Sequence, residues 1–320
     1  MRALVTGCAG FIGSNLARKL LQEGWEVVGL DNLDPYYDLG IKEHNLAQLS
    51  VLDGFEMIRG DLNDPQSLDS AFSQPPDVMV HLAARAGVVP SFQDPAGYAR
   101  ANIEGTISLF QAASRAGVDR VVFASSSSIY GETSSIPYRE DEPRILPISP
   151  YGLTKHNCEG FCRLYWERYG LRCNALRFFT VYGPGQRPDM AVHRFIRNIR
   201  SGRPIELYGD GGTYRDYTHI SDILEGVTAA MDDFDGFRIY NLGSGRPVTL
   251  GEVVETISEQ LGREPQVINR PLPPGDMIRT YADISRARDD LGYSPKVDFQ
   301  AGVASEIEWI AAMEQAGVLR

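Results

Sequence analysis

The chain has 320 residues, 43% hydrophobic and 23% charged, with a mean hydropathy of -0.23. That mix excludes a disordered, collagen-like or helical membrane-spanning chain, and the length suits one large or two modest domains of roughly 100–200 residues each. Lys and Arg number 31 against 42 Asp and Glu, giving a net charge of -11 and a pI near 5.0, so no sequence-independent grip on nucleic acid or anionic lipid is expected.

Strands and helices are predicted in alternation. Ala3–Val5, Glu26–Asp31, Glu56–Asp61, Val78–Ala84, Arg120–Ser125 and Asn174–Phe179 read as buried strands, each followed by a helical or loop segment. That order implies an α/β fold, a doubly wound parallel sheet of the Rossmann type, with ligands bound just beyond the carboxyl ends of the strands. Beyond about residue 180, Gly and Pro become dense and the helices are expected to shorten, suggesting a smaller, loop-rich C-terminal substrate domain. The helical periodicity of Ser221–Met231 and the strand-like Arg238–Leu242 suggest a return to the first sheet. The expected division is 1–178 with 221–245 for a cofactor, and 179–220 with 246–320 for a substrate. No internal repeat is present, and Ser125–Ser128 is the only low-complexity run.

The first strand runs into Thr6-Gly7-Cys8-Ala9-Gly10-Phe11-Ile12-Gly13 and then a helix, Ser14 to Leu21. Glycines there let a pyrophosphate approach the backbone N–H groups and the positive end of the helix. Glycines alone also serve plain turns, but this one follows a strand, opens a helix, and precedes a strand ending in Asp31, 18 residues beyond Gly13. A carboxylate at that point accepts ribose hydroxyls and repels a 2′-phosphate, favouring NAD over NADP, with Asn32 in further support. Asp61-Leu62 either flanks the adenine or, for Asp61, caps the next helix. Leu82, Ala83 and Ala84 are small or apolar where the middle of the cofactor passes, and His81 reads as a core histidine rather than a catalyst.

Four cysteines, Cys8, Cys158, Cys162 and Cys173, form no CxxC pair and read as buried or incidental thiols. Cys158 and Cys162 stand one helical turn apart, but no second His/Cys pair completes a set of four, so no metal is expected. The chain opens on an apolar strand without a basic leader, and no run of about 18 apolar residues follows, so a cytoplasmic protein without membrane contact is expected.

After the fifth strand comes Ser125-Ser126-Ser127-Ser128-Ile129-Tyr130-Gly131, and later Tyr151-Gly152-Leu153-Thr154-Lys155 opens a helix behind Pro150. Tyr151 and Lys155 share a helical face. A phenol titrates near pH 10, so acting as a base near neutrality needs a shift of roughly three units, about 4 kcal/mol, which an ammonium and an oxidised nicotinamide could supply. With a serine hydroxyl beside it, such a phenol removes the proton of an alcohol while hydride leaves its carbon. By itself Tyr-x-x-x-Lys is an ordinary amphipathic helix start; with the glycine turn and the serine run it reads as a reaction centre.

These motifs, with His81-Leu82-Ala83-Ala84, Arg177-Phe178-Phe179-Thr180-Val181-Tyr182-Gly183-Pro184, Arg215-Asp216-Tyr217 and Gly275-Asp276, resemble the extended short-chain dehydrogenase/reductases, nucleotide-sugar epimerase branch, across essentially the whole chain. The resemblance implies that Ser126 is the catalytic hydroxyl, Tyr151 the base and Lys155 the residue on the nicotinamide ribose. Relatives that dehydrate or decarboxylate their sugar place a carboxylate two residues before the Tyr-Gly. Here Ser127 and Ser128 stand at that point, so simple inversion at C4 is expected.

Thr180 followed by Gly-Pro-x-x-Arg-Pro-Asp-Met is similar to the uronate 4-epimerases, those of UDP-glucuronate. Ser127, Ser128, Thr180 and Arg187 would then hold the sugar carboxylate, unless Arg187 is a plain surface arginine. Pinning matters because a 4-ketone makes that carboxylate a β-keto acid, prone to lose CO₂. The resemblance further assigns the diphosphate to Arg215 and Arg279 and the uridine ribose to Asp276. It also implies a homodimer through helices at Tyr98–Ala116 and Tyr151–Tyr169, with Phe161, Leu164 and Tyr165 at the interface or in the core. The alternatives are a UDP-glucose 4-epimerase, a UDP-glucuronate decarboxylase, or a non-catalytic NAD-binding protein.

Overall fold

The structure is a computed structural model and describes residues 1–131, 136–209, 211–272 and 277–319. In chain order the first half comprises β1 (Arg2–Thr6), α1 (Phe11–Gln22), β2 (Glu26–Asp31), α2 (Leu39–Ser50), β3 (Phe55–Arg59), α3 (Pro65–Ala71), β4 (Val78–His81), α4 (Val88–Ser91), α5 (Pro95–Ala99), α6 (Gly105–Ala116) and β5 (Arg120–Ser126). A 3-10 turn at Ser127–Ile129 precedes α7 (Pro150–Tyr169), β6 (Arg172–Phe178) and β7 (Thr180–Tyr182). The remainder is α8 (Ala191–Ser201), β8 (Ile205–Tyr208), β9 (Tyr214–His219), α9 (Ile220–Asp232), β10 (Phe237–Leu242), β11 (Pro247–Thr249), α10 (Leu250–Leu261), β12 (Val267–Arg270), α11 (Ser285–Leu291) and α12 (Phe299–Gln315).

The seven-stranded sheet has the order β10-β6-β5-β4-β1-β2-β3, with every neighbouring pair parallel. This is the doubly wound fold. Side chains alternate between its two faces: Ala3, Val5, Val27, Val80 and Val122 enter one apolar cluster, while Leu4, Val28, Met79, Val121 and Phe123 enter the other. Because both faces are covered by helices, the strands are apolar runs rather than alternating ones. The direction of winding reverses between β1 and β4, which opens a crevice beyond their carboxyl ends. A three-stranded sheet (β11-β9-β7) and a two-stranded one (β12-β8) carry a third cluster, with Tyr182, Phe195, Ile257 and Ile310 at its centre.

Several local features differ from expectation. Tyr98–Ala116 is not one helix, because a π turn at Arg100–Glu104 separates α5 from α6. That turn aims Asn102 at the chain leaving β4: its side chain accepts from the Arg85 N–H at 2.8 Å and donates to the Arg85 carbonyl at 3.0 Å. β4 ends at His81 rather than Ala84, freeing Leu82–Ala86 for the crevice. The later helices do not shorten; α12 spans 17 residues against 12 in α1, since the third cluster needs apolar faces of comparable length. Ile284, Ala287 and Tyr293, expected with the smaller unit, pack in the large sheet's own cluster.

The turn from β1 to α1 depends on close backbone approach. Gly7 sits at φ +74, and a methyl at Gly13 would lie 2.1 Å from the Gly7 carbonyl oxygen. We predict that Gly13→Ala lowers the melting temperature by roughly 3–10 °C, whereas Gly160→Ala, with nothing within 4 Å in a helix, is neutral or stabilising. Equal melting temperatures for the two variants would contradict this packing account. His81 is a core histidine, its ring nitrogens 2.8 and 3.0 Å from the Thr6 and Thr106 hydroxyls, and burial pushes its pKa down to about 3. Between about pH 6.5 and pH 3 the unfolded chain binds a proton that the folded chain refuses, so stability falls as pH falls. His81→Gln should flatten that loss by about 1.4 kcal/mol per pH unit in urea titrations from about pH 6 to pH 4; an unchanged slope would refute it.

Candidate active site

One cleft of about 780 Å³ runs along the carboxyl ends of the large sheet and under the smaller lobe. At one end, Gly7, Gly10, Phe11, Ile12 and Gly13 line it. No side chain caps α1 at Gly10, so the N–H groups of its first turn remain for an anion in the cleft. Asp31 ties this turn to the end of β2: its carboxylate accepts from the Ala9 N–H at 3.1 Å and from the Leu33 N–H at 2.8 Å. Leu33 holds φ 54 to bring the chain round. Asn32 donates to Asp61 at 2.7 Å, and both line the cleft with Leu62, Leu82, Ala83 and Ala84. Asp61 does not cap α3. Asp64 does, accepting from the Gln66 and Ser67 N–H groups. An uncapped helix start, a carboxylate at the ribose distance in sequence and small residues between them fit a dinucleotide.

At the other end the cleft brings together Ser126, Ser127, Ser128, Tyr151, Lys155, Thr180, Arg187 and Arg215. Ser149 caps α7 and Pro150 opens it, which sets Tyr151 in the first turn at the cleft wall. The Tyr151 phenol and the Ser126 hydroxyl line the same end of the cleft. Burial pushes the phenol pKa up, while the Ser126 hydroxyl and the Arg187 guanidinium pull it down. Lys155 donates to the Ala124 carbonyl at 2.7 Å and lies over the Phe123 ring, and burial lowers its pKa to about 8. The ammonium is therefore held at the cleft wall by the end of β5, and the downward pull on the phenol comes from Ser126 and Arg187.

Behind this end lies a buried network that motif reading did not separate from the strand. Glu159, two turns after Tyr151 on α7, accepts from Ser125 at 2.5 Å and from Arg177 Nε and Nη2 at 2.9 and 2.8 Å. Arg177 also donates to the Tyr130 hydroxyl at 2.9 Å, which in turn donates to Asn241 at 2.7 Å. For Arg177 the signal in the sequence was the charge itself, set among Ala175, Leu176, Phe178 and Phe179; Glu159 stands among other polar residues and carried none.

Arg187 is only 17% exposed and is not a plain surface residue; it forms a two-bond pair with Asp189, at 3.0 and 2.9 Å. Arg215 lines the cleft and donates to the Tyr214 carbonyl at 3.1 Å. The Arg279 side chain is exposed and does not line the cleft, its backbone bridging to Tyr214. Asp276 lies outside the described residues. Lining residues that were not singled out from sequence include Tyr36 and Tyr37, in the β2–α2 loop, and Lys42, in the first turn of α2, whose ammonium donates to the Asp34 carbonyl at 2.8 Å. The loop carries no motif in its length or polarity.

Cys158 and Cys162 are core thiols, and among the described residues no group of three or more His, Cys, Asp and Glu gathers as a metal would need. Tyr165 packs edge-on against Phe110 and belongs to the core, with Phe161 against the same cluster, whereas Leu164 is 43% exposed. No described helix is long and apolar enough to cross a membrane.

Comparison with known proteins agrees with this geometry. An uncharacterised protein of Methanocaldococcus jannaschii is 41% identical over 310 residues, covering 96% of this chain and 95% of its own. A probable UDP-glucuronate 4-epimerase of Rhizobium meliloti is 38% identical over 330 residues, with 97% and 96% covered. The crystal structure of the UDP-glucuronic acid 4-epimerase of Bacillus cereus, in complex with UDP-glucuronic acid and NAD, superposes with a TM-score of 0.93 at 34% identity, over 98% of this chain and 100% of that one. Residues 3–243 match the NAD dependent epimerase/dehydratase family, and the similarity to these relatives extends over nearly the whole chain; the chain belongs to that family.

Proposed function

We propose that this chain is an NAD-dependent UDP-glucuronate 4-epimerase, interconverting UDP-glucuronate and UDP-galacturonate. The observation that carries the reading is the meeting of Tyr151 and Ser126 with Ser127, Ser128, Thr180 and Arg187 in the cleft that the α1 turn opens into. Gly7 to Gly13, Asp31, Asn32, Asp61, Leu62, Leu82, Ala83 and Ala84 hold the NAD, with Lys155 on its nicotinamide ribose. When bound, NAD supplies the hydride acceptor for C4 and a positive charge beside the phenol.

The chain's own residues do the rest. Tyr151 takes the proton of the C4 hydroxyl and returns it after the ring has turned over, and Ser126 keeps the C4 oxygen in line by hydrogen bonding. Ser127, Ser128 and Thr180 donate to the sugar carboxylate, and Arg187 balances its charge. Held in its ionised form, with the C5–C6 bond out of alignment with the ketone, that carboxylate stays on the sugar. Elimination needs a base at C5 and an acid for the leaving hydroxyl. Of the described lining carboxylates, Asp189 is committed to Arg187 and Asp34 to Arg85, while Asp31 and Asp61 lie at the cofactor end.

Arg215 takes the diphosphate within the cleft and Arg279 meets it from the rim, with Asp276 on the ribose. In this reading residues 1–178 and 221–245 serve the cofactor, and 179–220 and 246–320 the UDP-sugar. We further infer a homodimer through α6 and α7, supported by exposed Leu164 and Tyr169, and a cytoplasmic protein, supported by four free, buried cysteines.

Purified protein with NAD and UDP-glucuronate is expected to form UDP-galacturonate on nucleotide-sugar chromatography. A UDP-pentose as sole product, or equal turnover of UDP-glucose, would overturn the reading. Tyr151→Phe should lower kcat by about 10²–10⁴-fold while UDP affinity holds; lost affinity with intact kcat would refute the role of the phenol.

A further inference from the structure

Arg187 has three constraints around it. Its Nε and Nη2 are taken by Asp189, and Nη2 also approaches the Met190 sulfur at 3.6 Å, whereas Nη1 has no hydrogen bond among the described residues. Its Cζ lies over the Tyr36 ring, 5.3 Å from the centroid, within reach of a cation–π attraction. Asp189 alone is a weak anchor, since its side chain is 41% exposed and both partners belong to one loop, free to move together. Tyr36 comes from elsewhere, the β2–α2 loop, five residues after Asp31.

Tyr36 is itself pinned. Its phenol is electrostatically coupled to that of Tyr98, whose ring meets Tyr151 edge-on at 6.3 Å and whose hydroxyl donates to the Ala86 carbonyl at 3.2 Å. The Tyr36 hydroxyl fits against Gly87, where an added methyl would come within 2.8 Å of it. Two residues upstream, Asp34 is bonded to Arg85 Nε and Nη2 at 3.2 and 3.1 Å. The ring therefore stands as a fixed plate between the cofactor loop and the loop that carries Arg187.

We propose that Tyr36 is a positioning residue for the uronate, its ring holding one side of the Arg187 guanidinium so that the free Nη1 edge meets the sugar carboxylate. This rests on the uronate reading above and names a specificity element of the same site. Asp189 sets the direction of the fork and the Tyr36 ring closes one side of it. A lysine at 187 cannot be held this way, because an ammonium has no fork to form two bonds to Asp189 while it faces the ring.

The test is a double-mutant cycle read on UDP-glucuronate, with KM, kcat, UDP affinity and the fraction of UDP-pentose measured for each protein. Tyr36→Leu is expected to raise KM about fivefold to thirtyfold and to leak UDP-pentose, with UDP affinity unchanged. Tyr36→Phe, which keeps the ring, should restore both KM and product partition. Adding Tyr36→Leu to Arg187→Ala should cost nothing beyond Arg187→Ala alone. Arg187→Lys should show the same rise in KM and the same leak without disturbing Tyr36, which keeps the proposal testable if Tyr36→Leu fails to fold. Wild-type kinetics in Tyr36→Leu, additive losses in the double variant, a Tyr36→Phe as impaired as Tyr36→Leu, or an Arg187→Lys that behaves as wild type would each overturn the proposal. A wild-type protein inert toward UDP-glucuronate would instead remove the functional reading itself.

Discussion

The carboxylate of Glu159 joins the three elements on which the reaction centre is built. From α7 it takes the Ser125 hydroxyl at the end of β5 and both nitrogens of the Arg177 fork on β6, all out of contact with water. A buried ion pair of this kind adds little stability over an apolar pair of the same shape, yet breaking it by removing one partner costs about 3–5 kcal/mol. What it contributes here is register. Ser126 is the next residue along the strand from Ser125, and Tyr151 lies two turns up the same face of the helix from Glu159, so the bonds that hold the pair also hold the catalytic hydroxyls together. Tyr130 and Asn241 extend the same network to β10, the last strand of the sheet.

Electrostatics divides the work between the chain and its cofactor. Burial leaves the Tyr151 phenol with a raised pKa, against which the Ser126 hydroxyl and Arg187 pull. The chain alone therefore keeps the phenol protonated, and in the proposed reaction the positive charge of oxidised NAD would complete the activation. That arrangement suits an enzyme that must run the same step in both directions. The Arg187–Asp189 pair adds a cation near the sugar without adding net charge to an acidic protein.

Much of this was readable before any coordinates. β2 has the predicted bounds, the glycine turn and its partner Asp31 stand in contact, and Tyr151 and Ser126 line one end of the same cleft. These are features with a local period or a fixed spacing. What escaped the sequence depends on contacts between distant segments. The π turn that splits Tyr98–Ala116 exists to deliver Asn102 to Arg85, and nothing in the local periodicity announces it. Asp61 and Asp64 are equally good caps by type, and only the path of the chain into α3 decides for Asp64. Tyr36 sits in an unpatterned loop, Lys42 turns inward from the start of α2, and the exposure of Arg279 depends on how the chain crosses the rim of the cleft.

The central claim is that hydrogen leaves C4 of the sugar and comes back to the same carbon, on the other face, with the carboxylate intact throughout. Epimerisation of UDP-glucuronate deuterated at C4, in the presence of unlabelled reduced cofactor in solution, tests this most directly by mass spectrometry and proton NMR of the product. The account predicts UDP-galacturonate that retains deuterium at C4 and no release of CO₂. Loss of the label to solvent or to the external cofactor pool, or CO₂ released in step with turnover, would contradict it.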